Sequence, residues 1–332
     1  MDSNILPIVM TLVGLLSLSS VITWRLGRRK MNQQSRETIV NLRERVNSWW
    51  VMLGVFLLVL WAGPLASVVM FAGVSFFALR EYLTLLPTRQ ADHKSLFWAF
   101  FVILPAHYVL VAIEWYGLSS IFIPVYAFVF LPFRRVLAGE TDDFLASVAR
   151  LQWGLLVCVY FISHLPMIYQ IPVVGLKGEN GILLLFLVIC AQASDVLQYV
   201  WGKSLGKRKI APKVSPHKTV AGTVGGIGTT VLLGTAMSGL TPFDVWEAGI
   251  IALIVCLAGF FGGLVMSAIK RDLGAKDWGN SIPGHGGFMD RVDSLCFAAP
   301  LYFHIINFFF SEGIGNRPSP EVWERLPWLG GF

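Results

Sequence analysis

Ten runs of apolar residues, each near the length that crosses a lipid bilayer, occupy most of this chain. They cover 5–24, 49–62, 64–79, 96–113, 118–133, 145–163, 181–200, 222–240, 245–267 and 294–311. A spanning helix needs about 20 apolar residues to cross a hydrocarbon core about 30 Å thick. In lipid every backbone N–H and C=O must be satisfied within the protein, so such runs are read as α-helices. The expected fold is all-α: a polytopic integral membrane protein with about ten transmembrane helices. Runs 49–62 and 64–79 are short and meet at Gly63-Pro64, which predicts a tight hairpin or two tilted spans. Only 14% of the 332 residues are charged, against about 25% in a soluble domain. That is too little charge to coat a water-facing surface of this size.

The 26 Lys and Arg residues set the orientation. Three of them, Lys177, Arg317 and Arg325, fall on one side of the ten-helix reading, and the other 23 fall on alternate connections at the opposite side. Segment 25–48 carries seven of these cations. The basic side is therefore cytoplasmic, with both termini outside. The net charge of +6 reports membrane orientation and headgroup contact, not nucleic-acid binding. The first run is read as a retained, signal-anchor-like helix, because its positive charges follow the apolar stretch and no small-x-small cleavage site is obvious. Cys158, Cys190, Cys256 and Cys296 all lie inside apolar runs without CxxC spacing, as packing residues do. His107, His164 and His304 lie singly in apolar runs, and Glu81 and Glu114 lie near helix ends; all five are read as structural.

Two cytoplasmic loops, 201–221 and 268–293, carry more than topology. Within 270–293 the chain packs Lys270, Arg271, Asp272, Lys276, Asp277, His285, Asp290, Arg291 and Asp293 among glycines. Ionisable groups at a membrane boundary mark a functional site by default. Asp290 and Asp293, three apart, share one face if the last helix starts here. With Asp277 they are the hard-oxygen ligands that Mg²⁺ uses while it also binds substrate phosphates. Gly284, Gly286 and Gly287 let backbone N–H groups approach an anion, and Lys270, Arg271, Lys276 and Arg291 can neutralise phosphate oxygens. Asp195, in an apolar helix near its cytoplasmic end, is a further ligand or pocket candidate.

The segment Ser267 to Asp293 resembles, without a gap, the signature S-x-apolar-K-R-x4-K-D-x-small-x2-apolar-P-x-H-G-G-apolar-x-D-R-apolar-D of the phosphatidate cytidylyltransferase family. The stretch Asp195 to Gly222 is similar to the family's helix end and basic loop. Ser215, Pro216, Lys218 and Thr219 match S-P-K-K-T-x-E-G there, while His217 replaces its first Lys and Ala221 replaces its Glu. In the N-terminal half only a general likeness is visible, for example Phe76-Phe-Ala-Leu-Arg-Glu81.

The resemblance implies a nucleotidyltransferase that makes CDP-diacylglycerol and pyrophosphate from CTP and phosphatidic acid, in the cell's inner (plasma) membrane with its active site facing the cytoplasm. Helices 1–150 would precede a catalytic region, 151–332. Lys270, Arg271, Lys276, Asp277, His285, Asp290 and Arg291 would be catalytic. Ser215, Lys218, Thr219, Gly286 and Gly287 would bind substrate, and Asp277, Asp290, Asp293 and Asp195 would hold Mg²⁺, with room for a second metal ion. Membrane lipids and a second copy of the chain, as a homodimer, are the implied partners. Two other readings compete: cytidylyl transfer to a different lipid phosphate, which Ala221 favours, and a transporter or non-catalytic subunit. The latter predicts polar residues at mid-membrane on broken helices, whereas here they cluster in loops on one side. On this topology, cysteine-accessibility labelling finds positions near Lys209 and Lys276 on one side of the membrane and Asn316 on the other. Labelling of Lys209 and Lys276 from opposite sides would exclude a site shared by the two loops.

Overall fold

A computed structural model of the protein describes residues 5–28, 33–87, 92–137, 139, 141–173, 176 and 180–311. Arg29, Lys30, Arg89, Lys177, Asn316, Arg317 and Arg325, used above for topology, lie outside the described residues. Nine helices among the described residues are long and apolar enough to cross a membrane. They are α1 (Ile5–Gly27), α2 (Gln33–Ala62), α3 (Pro64–Thr84), α4 (Asp92–Ala112), α5 (Tyr116–Val136), α6 (Phe144–Gln170), α7 (Gly181–Leu205), α9 (Val245–Asp272) and α10 (Met289–Phe309). A shorter apolar helix, α8 (Val220–Ala236), falls between α7 and α9. The residue after Gly63 starts α3, so the uncertain pair 49–62 and 64–79 is two helices.

The short α8 still crosses. Its N-terminal end follows a β-hairpin at the C-terminal end of α7. Beyond its other end, Phe243 packs on Phe186, near the start of α7, and on Phe310 at the end of α10, with ring centroids 5.6 and 4.9 Å apart. Those are the far ends of both helices, so α8 traverses the bundle and α9 returns. The crossing with α7 is backbone to backbone: a Cβ on Gly226 would lie 2.5 Å from the Gln198 N atom. Small residues permit this approach, as they do at membrane helix interfaces generally.

The fold is all-α apart from the hairpin of β1 (Lys209–Ala211) and β2 (Ser215–Thr219), which forms where the sequence reads only a basic loop. Pro212 and Pro216 suit a hairpin better than a helix continuation. Three other boundaries differ from expectation. α2 begins at Gln33, not near 49, because a polar helical stretch precedes its apolar run. α7 continues to Leu205, and α9 continues to Asp272, placing Lys270 and Arg271 on a helix instead of in the loop. α4, α5 and α6 contain π-helical stretches at 99–103, 122–127 and 156–161. The first two lie beside Pro105 and Pro124, whose missing N–H interrupts the normal ladder.

The three histidines are structural as expected, but they are not solitary. His107 Nε2 lies 2.8 Å from the Ser163 hydroxyl, joining α4 to α6, and the Tyr116 hydroxyl lies 3.2 Å from His304 Nδ1, joining α5 to α10. The His164 and His304 rings are 5.5 Å apart. All four cysteines are buried and free.

Where the start of α4, the end of α5 and the start of α6 meet, Arg135 is 1% exposed and paired with Asp92, which also accepts from the Ser147 hydroxyl. The charge of Arg135 therefore does more than orient the chain. Removing one partner of a buried ion pair leaves an uncompensated charge and costs about 3–5 kcal/mol. Asp92→Ala is expected to destabilise the bundle on that scale, read by thermal unfolding in detergent, whereas Asp92→Leu with Arg135→Met loses far less.

Candidate active site

The site grows from the junction of α9 and α10. Gly274, at φ 69°, ends α9, and the loop 273–288 returns to start α10 at Met289. The first backbone N–H groups of a helix lack intrahelical acceptors and carry partial positive charge. Here two carboxylates satisfy those at the start of α10 and in the loop before it. Asp290 Oδ2 accepts from the N–H groups of Trp278 and Gly287 at 2.9 and 3.0 Å, and its Oδ1 accepts from Lys270 Nζ at 2.8 Å. Glu81, reaching over from α3, accepts from the N–H groups of Phe288 and Met289 at 3.0 and 2.9 Å and from the Ser281 hydroxyl at 2.6 Å. Gly287 is required by this approach, since a Cβ there would lie 2.2 Å from Glu81 Oε2. Gly284 and Gly286 adopt φ of 71° and 78°, a left-handed backbone that glycine takes without strain. Trp278 is buried beneath Lys270, whose Nζ lies 6.0 Å from the indole centroid, and beside Tyr82.

The β-hairpin delivers Lys218 to the same place. Its Nζ lies 4.7 Å over the Phe260 ring, and a Cβ on Gly263 would come within 3.1 Å of it. Lys218 thus lies along α9. Burial holds its ammonium below the ordinary value of 10.5, and Lys270 pushes the same way, while Asp195 and Asp293 pull it back up. Asp195, on α7, faces the Ser294 side chain, and Asp293 Oδ1 accepts from the Ser294 N–H at 2.8 Å. Lys270 Nζ also stands 4.0 Å from Asp293 Oδ2. The result is one alternating cluster: Asp195, Lys218, Asp293, Lys270 and Asp290, with Arg291 acting on Asp195. The two basic loops therefore meet, and Asp290 and Asp293 share a face of α10 as their spacing predicts.

Other expected residues stand apart from this cluster. Lys276 and Asp277 are exposed on the outer arm of the loop. Arg271 is exposed and donates to the Ala275 carbonyl at 2.9 Å. The Thr219 hydroxyl caps α8, accepting from the Gly222 N–H at 3.1 Å, and half-buried Ser215 opens strand β2. The expected convergence of Asp277, Asp290 and Asp293 on one ion is not what forms. Among the described residues, no three His, Cys, Asp or Glu side chains are grouped to hold a metal. Asp290 is occupied by the loop it organises, and Asp277 points its loop arm outward. The charges of both Asp195 and Asp290 act on Asp293, but Asp290 is engaged by Lys270 and two backbone N–H groups, which leaves Asp195 and Asp293. A pair suits Mg²⁺, which commonly takes one or two carboxylates and completes its shell with water and substrate phosphates. Glu81 is the organising residue that sequence reasoning undervalued: it was visible only as a helix-end carboxylate.

These features define a membrane-embedded enzyme whose cationic, carboxylate-bearing site is built at the ends of its helices. A profile described as "Cytidylyltransferase family" matches residues 43–309. The chain is 37% identical over 304 residues to a protein of Escherichia coli K12 called uncharacterized protein YnbB, covering 90% of this chain and 97% of the other. It is 29% identical over 282 residues to the phosphatidate cytidylyltransferase of Bacillus subtilis 168, covering 82% and 100%. A phosphatidate cytidylyltransferase of Synechocystis is 36% identical over 149 residues, 43% of this chain and 50% of that protein. The chain belongs to the cytidylyltransferase family. It is a nucleotidyltransferase of the phosphatidate cytidylyltransferase type, which excludes the transporter reading.

His285 gives the site a pH signature. Its ring is 8% exposed. Burial holds it below the ordinary 6.5, with the Arg291 and Arg45 cations pushing the same way against the Pro283 carbonyl. The unfolded chain then binds a proton that the fold does not, so the contribution is complete above 6.5 and is lost as pH falls from there towards the lowered folded value. The melting temperature of the detergent-purified protein is expected to drop between pH 7.5 and pH 5.5, and His285→Gln should abolish part of that drop.

Proposed function

We propose that the protein transfers the cytidylyl group of CTP to phosphatidic acid at the cytoplasmic face of the inner membrane, forming CDP-diacylglycerol and releasing pyrophosphate. The observation that carries this reading is the single charged cluster into which Lys218 of the hairpin and Lys270, Asp290 and Asp293 of the α9–α10 junction are drawn. A phosphate oxygen of phosphatidic acid attacks the α-phosphorus of CTP, a new P–O bond forms, and the bond to the β-phosphate bridging oxygen breaks. The nucleophile is already anionic at neutral pH, so no strong base is needed. The barrier lies in bringing two polyanions together in line, which is a matter of positioning and charge neutralisation.

Each residue has a role within that requirement. Lys218 and Arg291 supply cations to the phosphate oxygens, and Lys270 holds Asp290 and Asp293 in place while adding its own charge. Gly286 and Gly287 keep the backbone open to an anion, and Asp290 holds that backbone in shape. Asp195 and Asp293 would hold Mg²⁺, which when bound neutralises triphosphate charge. Asp195 is exposed on the flank of α7 beside Val196 and Tyr199, so the cluster is open towards lipid, as a membrane-borne substrate requires. Ala221, in the first turn of α8 where the family signature has Glu, supports a second reading in which a different lipid phosphate is the acceptor.

Detergent-purified protein supplied with labelled CTP, Mg²⁺ and a panel of lipid phosphates tests the proposal. Incorporation of label into phosphatidic acid is the expected result, and incorporation only into another lipid phosphate favours the second reading. Lys218→Ala is expected to cost about 2–4 kcal/mol in kcat/KM for CTP, the range for losing a group that stabilises developing charge. Asp293→Asn should abolish turnover. Full activity in either variant removes that residue from the site.

A further inference from the structure

Sequence reading treats the cations of 25–48 as topology markers, but three of them, Arg36, Arg43 and Arg45, lie on α2, and that helix has a docking task. At about 1.5 Å rise per residue, the 30 residues of α2 give a helix about 45 Å long, well beyond the about 30 Å of a hydrocarbon core. Its first turns project on the side where the α9–α10 junction lies. Among the described side chains of 33–58, only Val46 and Ser48 are buried, at 7% and 9% exposure. Ser48 lies where α2 meets the turn 282–286, which is closed by a bridge between Ile282 and Gly286. The Ser48 hydroxyl donates to the Pro283 carbonyl at 2.8 Å, and Arg45 Nε donates to the Gly284 carbonyl at 3.1 Å. The Trp49 ring meets the His285 ring edge-on, with centroids 6.1 Å apart. A Cβ on Gly284 would lie 3.2 Å from the Arg45 N atom, so the helix backbone itself sits against the turn.

Residues 45, 48 and 49 share one face of a helix. They hold three consecutive loop residues, 283, 284 and 285. We propose that this face of α2 positions the glycine-rich turn of the active site. The inference rests on the proposed reading of that turn as part of the nucleotide site. Arg45, Ser48 and Trp49 are positioning residues, because they act through the turn. The Pro283 and Gly284 carbonyls have no helix or sheet to join, and a turn with three glycines in four residues is costly to order. Two side-chain donors and one ring fix it from outside, so that Gly286, Gly287 and Asp290 keep their arrangement when a polyanion arrives. Arg45 also brings a cation whose field reaches His285.

The test uses the full-length protein in detergent, comparing wild type with the variant carrying Arg45→Gln and Ser48→Ala together. Amide hydrogen exchange across 282–287 reports the docking without depending on turnover, and steady-state kinetics with CTP and phosphatidic acid report its consequence. Losing two hydrogen bonds of ordinary strength should speed exchange at 284–287 by about tenfold or more. The same change should lower kcat by a similar factor while the KM for the lipid and the melting temperature stay near wild type. Ser48→Ala alone, which deletes one hydroxyl, guards against a folding defect and should show the same pattern at smaller size. Trp49→Phe, which keeps a ring against His285, should retain protection that Trp49→Ala loses. Unchanged exchange in both the double and the Ser48 variants overturns the docking, and faster exchange with unchanged kinetics overturns its role in positioning. A wild-type protein that does not use CTP counts against the proposed reaction instead, and the exchange comparison still decides the docking.

Discussion

A helix that begins at the edge of a membrane exposes unpaired backbone donors where water is scarce, and the start of α10 meets that need with Glu81 and Asp290. Much of the site follows from this pairing. Glu81 comes from α3, so the carboxylate that satisfies α10 also fixes the N-terminal bundle against the C-terminal helices. Asp290 comes from α10 itself and turns the loop back on its own helix, bringing the Trp278 and Gly287 backbones together. Because Asp290 also accepts from Lys270, the last turn of α9 is held to the first turn of α10. Leaving any of these buried groups unsatisfied is costly. The loop is therefore specified by polar satisfaction where apolar packing runs out.

The remaining charges of the cluster stand beside neighbours of opposite sign. Lys218, Lys270, Asp195 and Asp293 alternate in sign, and each is supplied by a different stretch of chain or a different turn of helix. Such an assembly is preorganised: the groups that would meet phosphate oxygens are held before substrate arrives, so less reorganisation remains for the reaction. The aromatic surfaces of Phe260 and Trp278 under the two lysines keep the ammonium groups directed, since a cation over a ring face gains attraction without giving up its charge.

The helical architecture was legible because bilayer thickness imposes one length on every span. All ten apolar runs became helices, and the alternation of basic connections correctly brought 201–221 and 268–293 to one end. The pairing of Asp290 with Asp293 on one face followed from their spacing. What remained hidden were contacts between residues distant in sequence. Glu81 looks like any helix-end carboxylate until the start of α10 is set beside it. Arg45 and Ser48 sit in a polar stretch whose cations already have an explanation. Asp277 matched a ligand by type and position, yet its arm of the loop faces away, and spacing along a glycine-rich segment carries no information about direction. The hairpin at 209–219 was missed because its strands are too short, and too rich in lysine and proline, to show alternation.

The modest length of α8 has a consequence for the lipid acceptor proposed above. Its 17 residues span about 25 Å at 1.5 Å per residue, several ångströms less than the hydrocarbon it crosses, and a short helix is accommodated by thinning the lipid beside it. The hairpin is joined directly to the short end of this helix. In a bilayer it would sit sunken relative to the ends of its longer neighbours, towards the glycerol and phosphate layer of the leaflet. A lipid phosphate diffusing past α8 would then be at the depth of Lys218 already, and would need to move sideways into the protein without being lifted out of the bilayer.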